Sequence, residues 1–284
     1  PTYFSQGEGN FRDVNQNRRN DVWFEPKVRD LNVRTFFNLI QADGFNPLVV
    51  EQLVLALDPA SLRAFRKSVA KVLSAADLEA LEKFLVQPRT PGAIARFLEK
   101  HAFGNGSGAG TAAAVAKMRD TILPTVFGSL KRLDTARHGE GFWIDHWTYN
   151  LDLIDSYLAV YPDRKRALLF DDATLPFFDS PAFVQPRSQK YVLAHGQPRQ
   201  FGAVLDDHEK ATLIASRPDQ PNWLRVDDGR GEIYRTTLFA KLVALAVIKF
   251  ATLDPLGMGI EMEAGKPGWF DALNGLPGLF GSSL

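Results

Sequence analysis

The segment GEGNFRDVNQNRRND, residues 7–21, packs Glu8, Arg12, Asp13, Asn15, Gln16, Asn17, Arg18, Arg19 and Asp21 into one short run. Guanidinium forks, carboxylates and planar amides offer or accept paired hydrogen bonds, the chemistry that reads sugar hydroxyls. The same residues also suit a solvated loop held by its own turns. A second cluster, GEGFWIDHWTYN at 139–150, sets Trp143, Trp147 and Tyr149 beside Asp145 and His146 where a helix begins. Flat aromatic faces cover the C–H faces of a pyranose while nearby polar groups hold its hydroxyls. A helix N-terminus with Asp145 at the positive end of the dipole, and tryptophans simply packed, has the same composition. The five histidines are scattered without metal-ligand spacing, so His146 is not expected to hold a metal.

A third cluster lies in GKPGWFDALNGLPGLFGSS, residues 265–283, where Asp271 stands among Trp269, Phe270, Asn274 and glycines. Desolvation in such surroundings raises a carboxyl pKa and keeps the proton on near neutrality, as a general acid for glycosidic cleavage requires. Glu261 and Glu263 are close in sequence and suit a partner base or a supporting role. An aspartate capping a short turn is the other reading. The segment RVDDGRGEIYRTT, 225–237, joins adjacent acids and arginines around glycines. It lacks the Lys-Ser/Thr of a phosphate-binding loop and reads as a turn.

The elements that must position these groups are mostly helical. Residues 1–26 are polar and read as irregular. Val33, Phe36, Phe37 and Ile40 recur at three and four, an amphipathic helix ending at Asp43-Gly44. Asn46-Pro47 reads as cap and first turn of another, with Val49, Leu53 and Leu57 inside. Further starts stand at Asp58-Pro59, Ser74 and Thr90-Pro91, carrying Leu62, Phe65 and Val69, then Leu78, Leu81, Phe84 and Leu85, then Ile94, Phe97 and Leu98. Residues 103–114 have the composition of a flexible linker, and 112–136 are weakly helical. Residues 45–137 are therefore expected as a helical insertion, with the chemistry outside it. A strongly amphipathic helix follows at 144–161, then a mixed stretch at 163–205 with room for a short strand or hairpin. Residues 231–252 are apolar almost all round, which predicts a helix packed on every side, as in the inner layer of a double ring.

Bulk composition narrows the classes. At 284 residues, with 45% hydrophobic and 11% aromatic side chains, the chain can bury a sizeable core. Lys plus Arg and Asp plus Glu both number 33, so electrostatics predicts no nucleic acid and no membrane surface as partner. The longest apolar run, 238–253, is broken by Lys241 and Lys249. There is no cysteine, hence no disulfide, and a cytoplasmic location is the default expectation. Pro1 at one end and GLFGSSL at the other suggest a piece of a longer protein.

Two tracts resemble those of a known family. NFRDVNQN, residues 10–17, is similar to the Y-R-D-x-x-Q-D tract of cellobiose phosphorylases and related inverting glycoside phosphorylases, and WFDALNG, 269–275, to their W-N-D-G/A-L/M-N tract. Their order agrees, and the blocks at 139–158 and 259–283 resemble a large, poorly characterised cellobiose-phosphorylase-like branch. The likeness spans nearly the whole chain. It implies a mainly α fold, part of an (α/α)6 double-ring barrel. It gives Arg12 and Asp13 the non-reducing-end glucosyl unit and Asp271 the catalytic proton, with Asn274 matching the tract's Asn. Trp143, Asp145, His146, Gln16 and Trp269 join Asn17 as substrate-binding candidates. Three positions depart from the pattern. Phe270 replaces an Asn, Asn17 replaces an Asp, and Ile144-Asp145-His146-Trp147 replaces S-D-D-x-L-W. The family's principal phosphate ligands lie past the acid tract, beyond Leu284.

The implied reaction is single displacement on a β-glucoside or β-glucan. Asp271 protonates the leaving oxygen, inorganic phosphate attacks the opposite face as co-substrate, and no cofactor is needed. A hydrolase or transglycosylase on the same barrel would need a base such as Glu261, Glu263 or Asp145. A non-catalytic carbohydrate-binding helical module is the third reading. Oligomeric state is not readable.

Overall fold

From Gly9 onward the tract expected to be irregular is largely helical. Gly9–Asn10 forms a short strand (β1) that leads into helix α1 (Phe11–Arg18), and the Asn10 side chain caps it by accepting the Arg12 N–H at 2.9 Å. Apolar spacing concealed this helix because one of its buried positions is an amide: Phe11 and Asn15, four apart, are both fully buried. The computed structural model describes residues 9–43, 48–103, 112–138, 144–200, 204–217 and 219–251. They are mainly helical. The described residues of Glu51–Thr135 make one compact unit, and those of Gly9–Val50 and Ala136–Leu284 make another.

After α1 come α2 (Asp21–Phe24), a 3-10 turn at Pro26–Val28, and α3 (Leu31–Asn38). α3 buries Val33, Phe36 and Phe37, the expected stripe, but it ends before Asp43 because the Leu39 N–H turns back to the Phe37 carbonyl. The helix expected after Asn46-Pro47 is absent. Leu48–Val50 is a strand (β2), paired with β1 so that Gly9 faces Val50. Consecutive β-branched valines favour that extended state.

The unit within Glu51–Thr135 begins with β3 (Val54–Ala56), so its first element is also extended. Asp58 caps a 3-10 turn, Pro59–Ser61, that runs into helix α4 (Leu62–Val69), while helices α5 (Ala75–Phe84) and α6 (Pro91–Phe103) start where their caps predict. The side-chain oxygens of Asp58, Ser74 and Thr90 accept the N–H groups of Ala60, Asp77 and Ala93 at 3.0, 3.2 and 3.2 Å. Residues 104–111 of the expected linker lie outside the described residues. α7 (Ala112–Lys117) and α8 (Leu123–Phe127) follow, joined by a π-helical segment at Met118–Ile122. Strand β4 (Lys131–Leu133) pairs antiparallel with β3. Phe65, Val69, Leu81, Ile94, Leu98 and Val126 form the core. The unit is helix-rich with a strand pair, not wholly helical.

In the other unit β5 (Ala136–His138) pairs antiparallel with β2, giving the sheet order β1-β2-β5. The chain thus leaves this unit and re-enters it on neighbouring strands. Helix α9 (Ile144–Val160) buries Leu153, Ile154 and Tyr157 against Phe11, Phe36, Phe37 and Ile40. Phe11 meets Phe36 edge-on, ring centres 5.3 Å apart. Then come β6 (Leu175–Pro176), β7 (Ala182–Val184), α10 (Arg187–Lys190), β8 (Tyr191–Ala194), β9 (Gln197–Gln200) and β10 (Val204–Asp206). The expected hairpin is β8–β9, turned by His195 and Gly196 at φ 54° and 75°, the left-handed pair that a two-residue hairpin turn needs.

Helix α11 (His208–Ala215), a short turn α12 (Val226–Gly229), strand β11 (Arg235–Thr236) and helix α13 (Leu238–Ala251) complete the described chain. The 225–237 segment is the turn expected, with Asp227, Asp228 and Gly229 at φ 53°, 53° and 84°. Beneath it Asp179 is buried and ion-paired to Arg217 at 2.9 Å and Lys210 at 2.8 Å. Arg217 also donates to the carbonyls of Gly229 at 3.0 Å and Trp223 at 3.2 Å, which pins the left-handed turn. α13 is not packed on every side among the described residues. Leu238, Lys241 and Leu245 are buried on one stripe, while Phe239, Val243, Val247 and Phe250 are exposed. Lys241 lies fully buried with its Nζ 3.7 Å from the centre of the Phe177 ring. Burial pushes its pKa well below the ordinary 10.5. No described helix is long and apolar enough to cross a membrane.

Candidate substrate site

Helix α1 turns its apolar and amide face inward and its remaining polar groups outward. Asp13, Gln16 and Asn17 are exposed and Arg12 is half-buried, its Nε 3.3 Å from Asp13 Oδ1. Behind them the Asn15 amide donates to Asn150 Oδ1 on α9 at 2.6 Å, and both residues are buried. Arg19 pairs with Asp152 at 3.0 Å and its guanidinium lies 5.7 Å from the centre of the Tyr149 ring. The Tyr161 hydroxyl donates to the Pro26 carbonyl at 2.7 Å. Residue numbers rise together across these three pairs, so the segment from α1 to Pro26 runs alongside α9 in the same sense. The first turn of α1, bearing Arg12 and Asp13, therefore lies toward the end where α9 begins, and Asp145 and His146 occupy that first turn of α9.

Close packing fixes the approach. A methyl group on Gly9 would overlap Val14 Cγ2, so glycine lets β1 run tight against α1. Trp147 is half-buried and packs on the core. The fold thus brings the described part of the first tract and residues 144–150 of the second to one end of this unit. Trp143, Glu261, Glu263, Trp269, Asp271 and Asn274 lie outside the described residues. Asn15, grouped in sequence with the hydroxyl-reading side chains, is instead fully buried and spent on Asn150, a partner that no sequence signal marked.

A cavity of about 370 Å³ opens elsewhere, at the far end of α9. Arg29, Asp30 and Arg34 form one wall, and Tyr157, Tyr161 and Arg164 another. About 20 Å of helix axis separates the first turn of α9 from Tyr157. The cavity is therefore distinct from the end that carries Arg12, Asp13, Asp145 and His146, and no motif in the sequence marked it. No periodicity could have marked it: Tyr157 lies on α9, Tyr161 follows its end, and Arg164 belongs to a separate 3-10 turn at Pro162–Arg164. Arg34 is committed. It donates to Asp30 at 2.6 Å, to Thr174 at 3.0 Å and to Asp172. Burial raises the Tyr157 phenol above its ordinary value of 10.0, so it stays protonated.

Asp172 carries a pH signature. Burial opposes its ionisation, yet hydrogen bonds from Thr174 and Arg34 outweigh burial and hold the carboxyl below its ordinary 3.8. A depressed folded-state value stabilises the native state above about the ordinary pKa, and that contribution disappears as pH falls through the folded value. Denaturant unfolding at pH 5 and pH 3 should therefore show a steeper acid loss for the wild type than for Asp172→Asn. Equal slopes would show that the Arg34 pair adds no acid-sensitive stability.

Among the described residues, no three His, Asp or Glu side chains group closely enough to hold a metal. No protein-family model matches the chain, and no curated protein or solved structure matches it.

Proposed function

We propose that the chain is catalytic-domain material of an inverting glycoside phosphorylase acting on β-glucosides or β-glucans in the cytoplasm, on an (α/α)6 double-ring barrel. The observation that carries this reading is the Asn15–Asn150 clamp. It seats the Arg12-Asp13 turn toward the start of α9, so two tracts more than 130 residues apart share one end. Helix-on-helix packing of α1 and α3 against α9 supports the barrel. Arg12 and Asp13 hold the terminal glucosyl unit, Gln16, Asn17, Asp145 and His146 add hydroxyl contacts, and Trp143 and Trp269 cover its C–H faces.

The reaction is one displacement. Phosphate oxygen forms a bond to the anomeric carbon as the glycosidic C–O bond breaks, and Asp271 gives its proton to the departing oxygen. The phosphate brings its own negative charge, so one protein carboxyl suffices. Asn274 adds a further substrate contact. The reaction needs no cofactor.

The test is release of glucose 1-phosphate from β-linked disaccharides and β-glucans, with and without inorganic phosphate. Phosphate-dependent release of the α-configured product supports the reading. Free glucose formed equally without phosphate would instead indicate a hydrolase. Arg12→Ala should raise KM at least about tenfold, the loss of a hydrogen bond from a charged donor.

A further inference from the structure

The cavity at the far end of α9 holds two arginines with little else to do. Arg29 makes no side-chain hydrogen bond or ion pair among the described residues, and it sits at φ 50°, ψ −131°, a backbone state that L residues rarely adopt. Such strain persists where surrounding structure enforces it and gathers at ligand clamps. Arg164 has only a loose contact, 3.6 Å, with its exposed neighbour Asp163. Asp171 has an equally loose one, 3.6 Å, with Arg166. Arg34, by contrast, is saturated and serves as a fixed wall. Between these groups Tyr157 and Leu168 supply a buried apolar floor.

We infer that this cavity is a binding site for a sugar bearing one anionic group, held by Arg29 and Arg164 at its charge, by Asp171 at its hydroxyls and by the Tyr157 ring at its C–H face. Guanidinium forks match the oxygens of phosphate and carboxylate. A carboxylate accepts from hydroxyls, and an aromatic ring covers the faces between them. The volume falls in the range of small-molecule pockets. This site is separate from the α1 face and does not depend on the reaction proposed there.

Calorimetric titration of the full chain with glucose 1-phosphate, glucuronate, glucose and inorganic phosphate tests it. Glucose 1-phosphate or glucuronate should bind more tightly than glucose and than phosphate, and whichever is tighter identifies the anion. Arg29→Gly removes the guanidinium and relieves the strained backbone. It should weaken binding about tenfold or more while the Tm holds or rises. Arg164→Ala, at an exposed position, should weaken it similarly, and Arg63→Ala, exposed in the other unit, should leave it unchanged. Wild-type affinity in Arg29→Gly, equal affinity for glucose, or loss only in Arg12→Ala would overturn the assignment. The last result would place the ligand on α1 instead.

Discussion

Asp271→Asn should lower turnover of an ordinary β-glucoside by about 10²–10⁴-fold, the usual worth of a positioned general acid, while glucose binding is kept. The amide preserves the shape of the side chain but cannot serve as an acid. The loss should depend on the leaving group. An aryl glucoside such as 2,4-dinitrophenyl β-glucoside departs without protonation, so the variant should turn it over at a rate near that of the wild type. Trp269 and Phe270 are the reason to expect the proton at neutral pH, since apolar neighbours disfavour the ionised form. Steady-state kinetics on both substrates decides it. Equal losses on both would make Asp271 a structural residue, and no loss on either would remove it from the mechanism.

The largest stability effect should come from the buried pair beneath the left-handed turn. Asp179 and Arg217 side chains are 3% and 4% exposed, so each charge depends on the other. Asp179→Ala leaves Arg217 buried without its counter-ion, a change that typically costs about 3–5 kcal/mol. Lys210 loses its partner as well, but at 39% exposure it can turn to water. For a chain of this size the Tm should fall by about 5–8 °C. The double variant Asp179→Ala/Arg217→Met should recover part of that loss, because it removes the orphaned charge along with its partner. Thermal unfolding of the three variants gives the coupling. If Asp179→Ala unfolds with the wild type, the ion pair is not holding the 217–231 segment.

Helix starts were legible where one side chain announced them. Asp58, Ser74 and Thr90 each supply an oxygen to an N–H two or three residues on, a strictly local bond. α1 was hidden because its inward face uses Asn15, and an amide at a buried position breaks the apolar count. β2 was misread because Asn46-Pro47 suits a helix start, while pairing with β1 and β5 depends on residues far away in sequence. The same division holds for the sites. That Arg12 and Asp13 offer charged hydrogen-bonding groups could be read directly, since it resides in side-chain types. The clamp that seats them could not, because it joins two neutral amides 135 positions apart. The cavity drew its walls from separate segments around 30, 157 and 170, and only folding assembles them.

The neighbouring strands β2 and β5 have a consequence for the chain's history. Val50 stands opposite Ala136, so everything between them could shrink to a tight hairpin turn without shifting a single register in that sheet. Loop-closure entropy grows only slowly with length, so growth there is nearly as easy as deletion. Relatives should therefore differ freely in the Glu51–Thr135 stretch, carrying long, short or unrelated versions, while keeping the short ladder that holds its two stems.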